Sequence, residues 1–150
     1  MAMHRDFERM FPRLIPGSFN ATSPKDGNYN CVGWVLDKLR PRVWWPDTTR
    51  QLWPDFLPLN ENIKTFIVFF QSYGYELCED DKSLPGFEKI ALYVDEDDRF
   101  SHVAHQLENG KWTSKLAAEE DIEHGSLQVL TGPHLGKVWG FMKRRQKPTQ

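Results

Sequence analysis

The chain has 150 residues, of which 39% are hydrophobic and 27% charged, and its formal net charge is −2. This length and apolar content suit one domain with a substantial core, and the near-neutral charge gives no general attraction to nucleic acid or anionic membranes. No apolar run approaches the roughly 20 residues of a membrane-spanning helix. Two cysteines cannot build a disulfide-dense scaffold. We therefore expect a single domain over residues 1–150, with a core over about 17–144 and no nucleic-acid partner.

The first part of the chain predicts helices. Residues 4–11 place apolar side chains on one helical face before Pro12, which predicts a short helix. Residues 17–30 are rich in Gly, Ser, Asn and Thr, which predicts a loop. From Cys31 to Leu39 apolar residues recur at helical spacing, which predicts a second helix. A proline-rich stretch follows, and its tryptophans either cover the core or line a groove.

The second part of the chain predicts one more helix and then strands. Asn60 or Asn62 can cap a helix that runs to about Tyr73, where Gly74 ends it. Four strand-like stretches come next, with a hairpin signal at Asn109-Gly110 between the second and the third. They cover residues 87–94, 100–107, 112–116 and 135–143. Helices followed by consecutive antiparallel strands predict an α+β domain, in which N-terminal helices pack on an antiparallel sheet.

Two residues carry a chemical signal. Cys31 lies where a turn meets a predicted helix, and the unpaired N–H groups and dipole at that end favour thiolate over thiol. His102 lies far downstream in a strand-like run. A histidine within reach of a thiolate can act as its base, so this pair predicts nucleophilic chemistry. The alternatives are that Cys31 is a small core residue and that His102 bonds a backbone carbonyl.

The order of these motifs resembles the papain-like cysteine peptidases, especially their small bacterial NlpC-type branch. That branch has an Asp-Cys-Ser-Gly-apolar-Val run opening a helix, and the corresponding stretch here is Asn30-Cys31-Val32-Gly33-Trp34-Val35, with Asn30 in place of the Asp. The branch also has a Ser-His-Val-Gly strand, to which Ser101-His102-Val103-Ala104 corresponds. The chain is also similar to a related bacterial group with Trp-x-Ser-Lys-x-Gly and a distal histidine. Ser114 and His124 match those positions, although Ala117 stands where that group has glycine.

The resemblance implies a hydrolase or acyltransferase that acts on an amide without a cofactor. Cys31 would attack the carbonyl of a peptide, an isopeptide or a cell-wall peptide, and His102 would move the proton. Ser114 would orient His102, with Asp121 or His124 as substitutes. The N–H of Cys31 would form the oxyanion hole with one of Asn28, Tyr29 or Asn30. The groove candidates are Trp34, Trp44 and Trp45.

A different class of function stays open. The same fold without turnover would be a binding or effector module, which the weak orienting group at Ser114 favours. Cys31, His102 and His124 could in principle bind zinc, but the spacings typical of zinc sites are absent, so we expect no metal. The first residues are charged and lack a signal-peptide core, so we expect a cytoplasmic protein unless it is exported by another route. The sequence does not indicate an oligomeric state.

Overall fold

A single antiparallel sheet organises the computed structural model, which describes residues 12, 19–23, 56–58, 60–115, 121–133 and 135–146. Seven strands pair in the order β1-β6-β5-β4-β3-β7-β2. In chain order the elements are β1 Phe19–Ser23, α1 Ile63–Gln71, β2 Glu76–Cys78, β3 Phe87–Val94, β4 Phe100–Gln106, β5 Trp112–Lys115, β6 Asp121–His124, a 3₁₀ turn Leu127–Leu130 and β7 Lys137–Arg145. Every pairing is antiparallel.

The predicted fold class, N-terminal helices packed on an antiparallel sheet, is wrong for this structure. The described part of the chain is mostly sheet, with one short α-helix. The prediction missed β1, which lies inside the stretch taken for a loop, and it missed β2 and β6, which have three and four residues. Strands this short carry no readable periodicity, because their neighbours in the sheet define them. The predicted helices over residues 4–11 and 31–39 lie outside the described residues.

Several predicted elements are confirmed. The helix capped at Asn62 runs from Ile63 to Gln71, and the Asn62 side chain accepts a hydrogen bond from the Lys64 N–H. Gly74 follows this helix with a φ of +94°, a backbone conformation that favours glycine. The strand at Phe87–Val94 has the predicted bounds, and β4, β5 and β7 overlap their predicted ranges.

The sheet buries side chains on both faces. One face, which we call the helix face, is covered by α1. There, Phe66, Phe69 and Phe70 pack against strand residues such as Ile90 and Leu92. The opposite, loop face carries a second cluster, composed of Ala91, Tyr93, Ala104, Trp112, Ile122, Leu127, Leu130 and Leu135. Alternate residues of β3 enter the two clusters, as the period of a strand requires. The loop between β6 and β7 covers the loop face with Leu127, Leu130 and Leu135.

An ion pair between buried Arg144 and half-buried Glu88 closes one end of the helix-face core. Arg144 Nε donates to Glu88 Oε1 at 2.6 Å across the β7–β3 pair, and the Tyr75 hydroxyl donates to the same oxygen at 2.7 Å. The hydrogen bonds compensate the cost of burying both charges. Among the described residues, no helix has the length and apolar character needed to cross a membrane.

Candidate active site

His102 lies on β4, on the loop face of the sheet. It is 3% exposed and stands directly opposite Tyr93 of β3 in the strand register. The two rings meet edge to face, with 5.3 Å between their centroids. Such contacts stabilise a fixed relative orientation of two rings. The imidazole is therefore held by a side chain of the neighbouring strand.

A β-bulge precedes His102. The register of β3 and β4 shifts between the pair Tyr93–His102 and the pair Val94–Phe100, which leaves Ser101 as the extra residue. The Ser101 hydroxyl donates a hydrogen bond to the Leu135 carbonyl oxygen at 2.5 Å. A bulge turns the side chains that follow it, and bulges are enriched beside active sites. This one sets the direction from which His102 leaves the strand.

Tyr93 is itself anchored to the loop that covers this face. Its hydroxyl donates to the Leu127 carbonyl oxygen at 2.7 Å. Burial raises the pKa of Tyr93 far above its usual value. The phenol therefore stays neutral and remains a hydrogen-bond donor over the whole physiological range.

Ser114 and His124 form a second buried polar pair on the loop face. They are 0% and 1% exposed, and 2.7 Å separates Ser114 Oγ from His124 Nε2. His124 Nδ1 lies 3.0 Å from the Ser126 carbonyl oxygen, which can only accept. Nδ1 must therefore carry the proton, and in the neutral ring Nε2 accepts the hydrogen bond from the Ser114 hydroxyl.

His124 favours the neutral state. Burial lowers its pKa below the usual value for histidine, and the hydrogen bond to the Ser126 carbonyl only partly opposes this effect. A neutral imidazole whose tautomer is fixed by a carbonyl, with a hydroxyl on its other nitrogen, has the arrangement of a base and its proton donor. Both side chains are shielded from solvent.

The structure brings three of the predicted site residues to one face. The register of β4, β5 and β6 puts His102, Ser114 and His124 on the same side of the sheet as Trp112. The hydroxyl of Ser114, predicted to orient His102, donates a hydrogen bond to His124. Asp121 begins β6, paired with Lys115 and Ser23. The remaining candidates lie outside the described residues: Asn28, Tyr29, Asn30, Cys31, Trp34, Trp44 and Trp45.

The sequence did not single out Tyr93 or Ser101 as contributors to the site. One signal was present for each: a tyrosine in the otherwise aliphatic run Ile90–Val94, and a serine directly before the histidine. Neither signal locates the carbonyl partner, because Leu127 and Leu135 each lie 34 residues away along the chain. Within the described residues, no group of three or more His, Cys, Asp or Glu side chains could hold a metal ion.

Comparison with known proteins adds a family but no activity. No curated protein and no solved structure matches the chain significantly. One family model, described as "Domain of unknown function (DUF7689)", matches residues 20–143. This range includes every element from β2 to β6, together with His102, Ser114 and His124. Because the match covers most of the sequence, the chain belongs to the DUF7689 family.

Proposed function

We propose that this chain is a cysteine hydrolase or acyltransferase, related to the papain-like cysteine peptidases, with Cys31 as nucleophile and His102 as base. Its substrate is an amide in a peptide, an isopeptide or a cell-wall peptide. The observation that carries the proposal is the placement of His102. A bulged strand presents this imidazole on a face that also buries Tyr93 and the Ser114–His124 pair.

Burial of these polar groups supports a functional role for the loop face. An apolar core is satisfied by apolar side chains, and each buried hydroxyl or imidazole costs free energy unless it has a partner. Among the described side chains of this face, the strands contribute four such groups, on Tyr93, His102, Ser114 and His124. Hydrogen-bond partners offset this cost, but they do not explain why polar side chains occupy positions that apolar ones could fill. Titratable groups concentrated on one face are typical of sites that move protons.

The proposed reaction needs one proton acceptor and one nucleophile. His102 takes the thiol proton of Cys31, and the thiolate sulfur bonds to the amide carbonyl carbon. The imidazolium then protonates the departing amine as the C–N bond breaks, which leaves a thioester. Water or a second amine then attacks the thioester carbonyl while His102 accepts its proton. The C–S bond breaks, and the imidazolium returns that proton to the Cys31 sulfur. Hydrolysis and acyl transfer differ only in this last acceptor.

The test is the pH dependence of Cys31 alkylation by iodoacetamide. Cys78→Ser provides the background, and mass spectrometry identifies the labelled peptide. We expect a thiol pKa well below the ordinary value of about 8.5, rising toward that value in His102→Gln. His105→Gln is the matched control, because His105 lies on the same strand three residues away. An unshifted pKa, or one that His102→Gln leaves unchanged, would refute the proposal.

A second candidate is a binding or effector module without turnover. Two observations favour it: His102 is only 3% exposed, and the Ser114 hydroxyl is engaged with His124. This candidate predicts a slow, unshifted thiol at Cys31. It also predicts that Cys31→Ala leaves the binding of a partner intact. The alkylation profile therefore separates the two functions in one experiment.

A further inference from the structure

The loop between β6 and β7 accepts side-chain hydrogen bonds from three different strands. The acceptors are three backbone carbonyl oxygens, which together we call the carbonyl clamp. Their donors come from β3, β4 and β6. The pairs are Tyr93 Oη with Leu127 at 2.7 Å, Ser101 Oγ with Leu135 at 2.5 Å, and His124 Nδ1 with Ser126 at 3.0 Å.

Local hydrogen bonds hold the clamp in place. Thr131 donates to the Gln128 carbonyl oxygen through both its N–H and its hydroxyl, which closes the 3₁₀ turn. Gly132 and Gly136 exchange two backbone hydrogen bonds, at 3.0 and 2.8 Å, on either side of Leu135. Leu127, Leu130 and Leu135 are all buried. These bonds fix the backbone that carries the three carbonyl oxygens at both ends of the clamp.

Two of the clamped donors adjoin His102. Ser101 precedes it in the chain and forms the bulge, and Tyr93 faces it across the strand pair. Neither hydroxyl is required for filling space, because a phenylalanine or an alanine would occupy nearly the same volume. Tyr93 is buried and Ser101 half-buried, and a hydroxyl that bonds a distant carbonyl fixes the direction of its side chain. The first bond therefore fixes the ring that contacts His102, and the second fixes the bulge that directly precedes it.

From this geometry we propose that Tyr93 and Ser101 are positioning residues, through which the carbonyl clamp fixes the imidazole of His102 in the orientation that the proposed reaction uses. The inference rests on the proposed function for the role of His102 as base. The orientation of the ring can be measured without that assumption, because ring nitrogen shifts report the tautomer and hydrogen bonding of an imidazole.

The experiment combines histidine ring ¹⁵N NMR with the alkylation rate of Cys31 at neutral pH, both on the full chain in the Cys78→Ser background. Ser101→Ala and Tyr93→Phe each remove one clamp bond. We expect each to move the ring signals of His102, assigned with His102→Gln. We also expect each to slow alkylation about fivefold, the effect of one ordinary hydrogen bond. Ser101→Thr keeps a hydroxyl and is expected to restore both readouts.

Ser72→Ala is the matched control. It removes a bond from a serine hydroxyl to the Phe69 carbonyl at the end of α1, which packs on the opposite face. It should leave the His102 signals and the alkylation rate unchanged. If Ser101→Ala and Tyr93→Phe behave like this control while His102→Gln slows alkylation, the clamp is refuted and the proposed function stands. If His102→Gln itself has no effect on alkylation, the proposed function fails, and the ring signals alone decide whether the clamp exists.

Discussion

The protonation of His124 should affect the stability of the fold. Its pKa is lowered in the folded chain, chiefly by burial, whereas an unfolded histidine titrates near pH 6.5. As pH falls below about 6.5, the unfolded state gains a proton before the folded state does, so the free energy of unfolding decreases. The stabilisation is fully present above that pH. Its loss is bounded at about 1.4 kcal/mol per pH unit for one proton.

His124→Gln should remove this pH dependence. The glutamine carbonyl can still accept from Ser114, but the side chain does not titrate. In urea unfolding followed by tryptophan fluorescence, we expect the wild type to lose more stability than His124→Gln between pH 7.5 and 5.5. Ser114→Ala deletes the hydroxyl but keeps the titrating ring, so it should retain the wild-type slope. Equal slopes for wild type and His124→Gln would contradict this account.

At the scale of elements, one glycine determines how the β6–β7 loop meets the sheet. Gly136 has a φ of +77°, and a Cβ built on it would lie 1.9 Å from the Val94 carbonyl oxygen. That contact is with backbone, so no side-chain rotation relieves it. Gly136→Ala must separate the loop from the end of β3, and with it the Leu135 carbonyl from Ser101. We expect a loss of more than about 3 kcal/mol in the free energy of unfolding, measured in urea.

Two other glycines serve as controls that separate the clash of an added Cβ from the backbone strain of a positive φ. Gly110 also has a positive φ, of +86°, but no atom lies within 4 Å of the point that a Cβ would occupy. Gly110→Ala should therefore cost only about 1–2 kcal/mol. Gly125 has open space and no positive φ, so Gly125→Ala should be nearly neutral. A Gly136→Ala variant no less stable than Gly110→Ala would show that the loop adjusts without cost.

At the scale of the whole molecule, the sequence predicted the long elements of the described residues well and their arrangement poorly. The helix after Asn62 and the strand Phe87–Val94 were readable because each carries its own cap or apolar run. Insertion of β7 between β3 and β2 was not readable, because it depends on pairing between residues far apart along the chain. Proximity of Ser114 to His124 depends in the same way on register. Residue types indicated candidate side chains, and only the sheet shows which of the described ones meet.

The two-faced burial of the sheet predicts where the molecule resists opening. Ile90–Val94 of β3 are all 0% exposed, and β3 lies between β4 and β7, whereas β2 ends the strand order and exposes Leu77. Opening β3 must disrupt the clusters on both faces, so its amides should exchange only through global unfolding. In hydrogen exchange followed by mass spectrometry, we expect peptides over 88–94 to exchange slowest and those over 76–78 at least about tenfold faster. A low concentration of urea should accelerate exchange only in the peptides over 88–94, because only global unfolding exposes a large surface. Equal protection of the two strands would mean that the sheet opens as one unit, and that covering both faces gives β3 no extra stability.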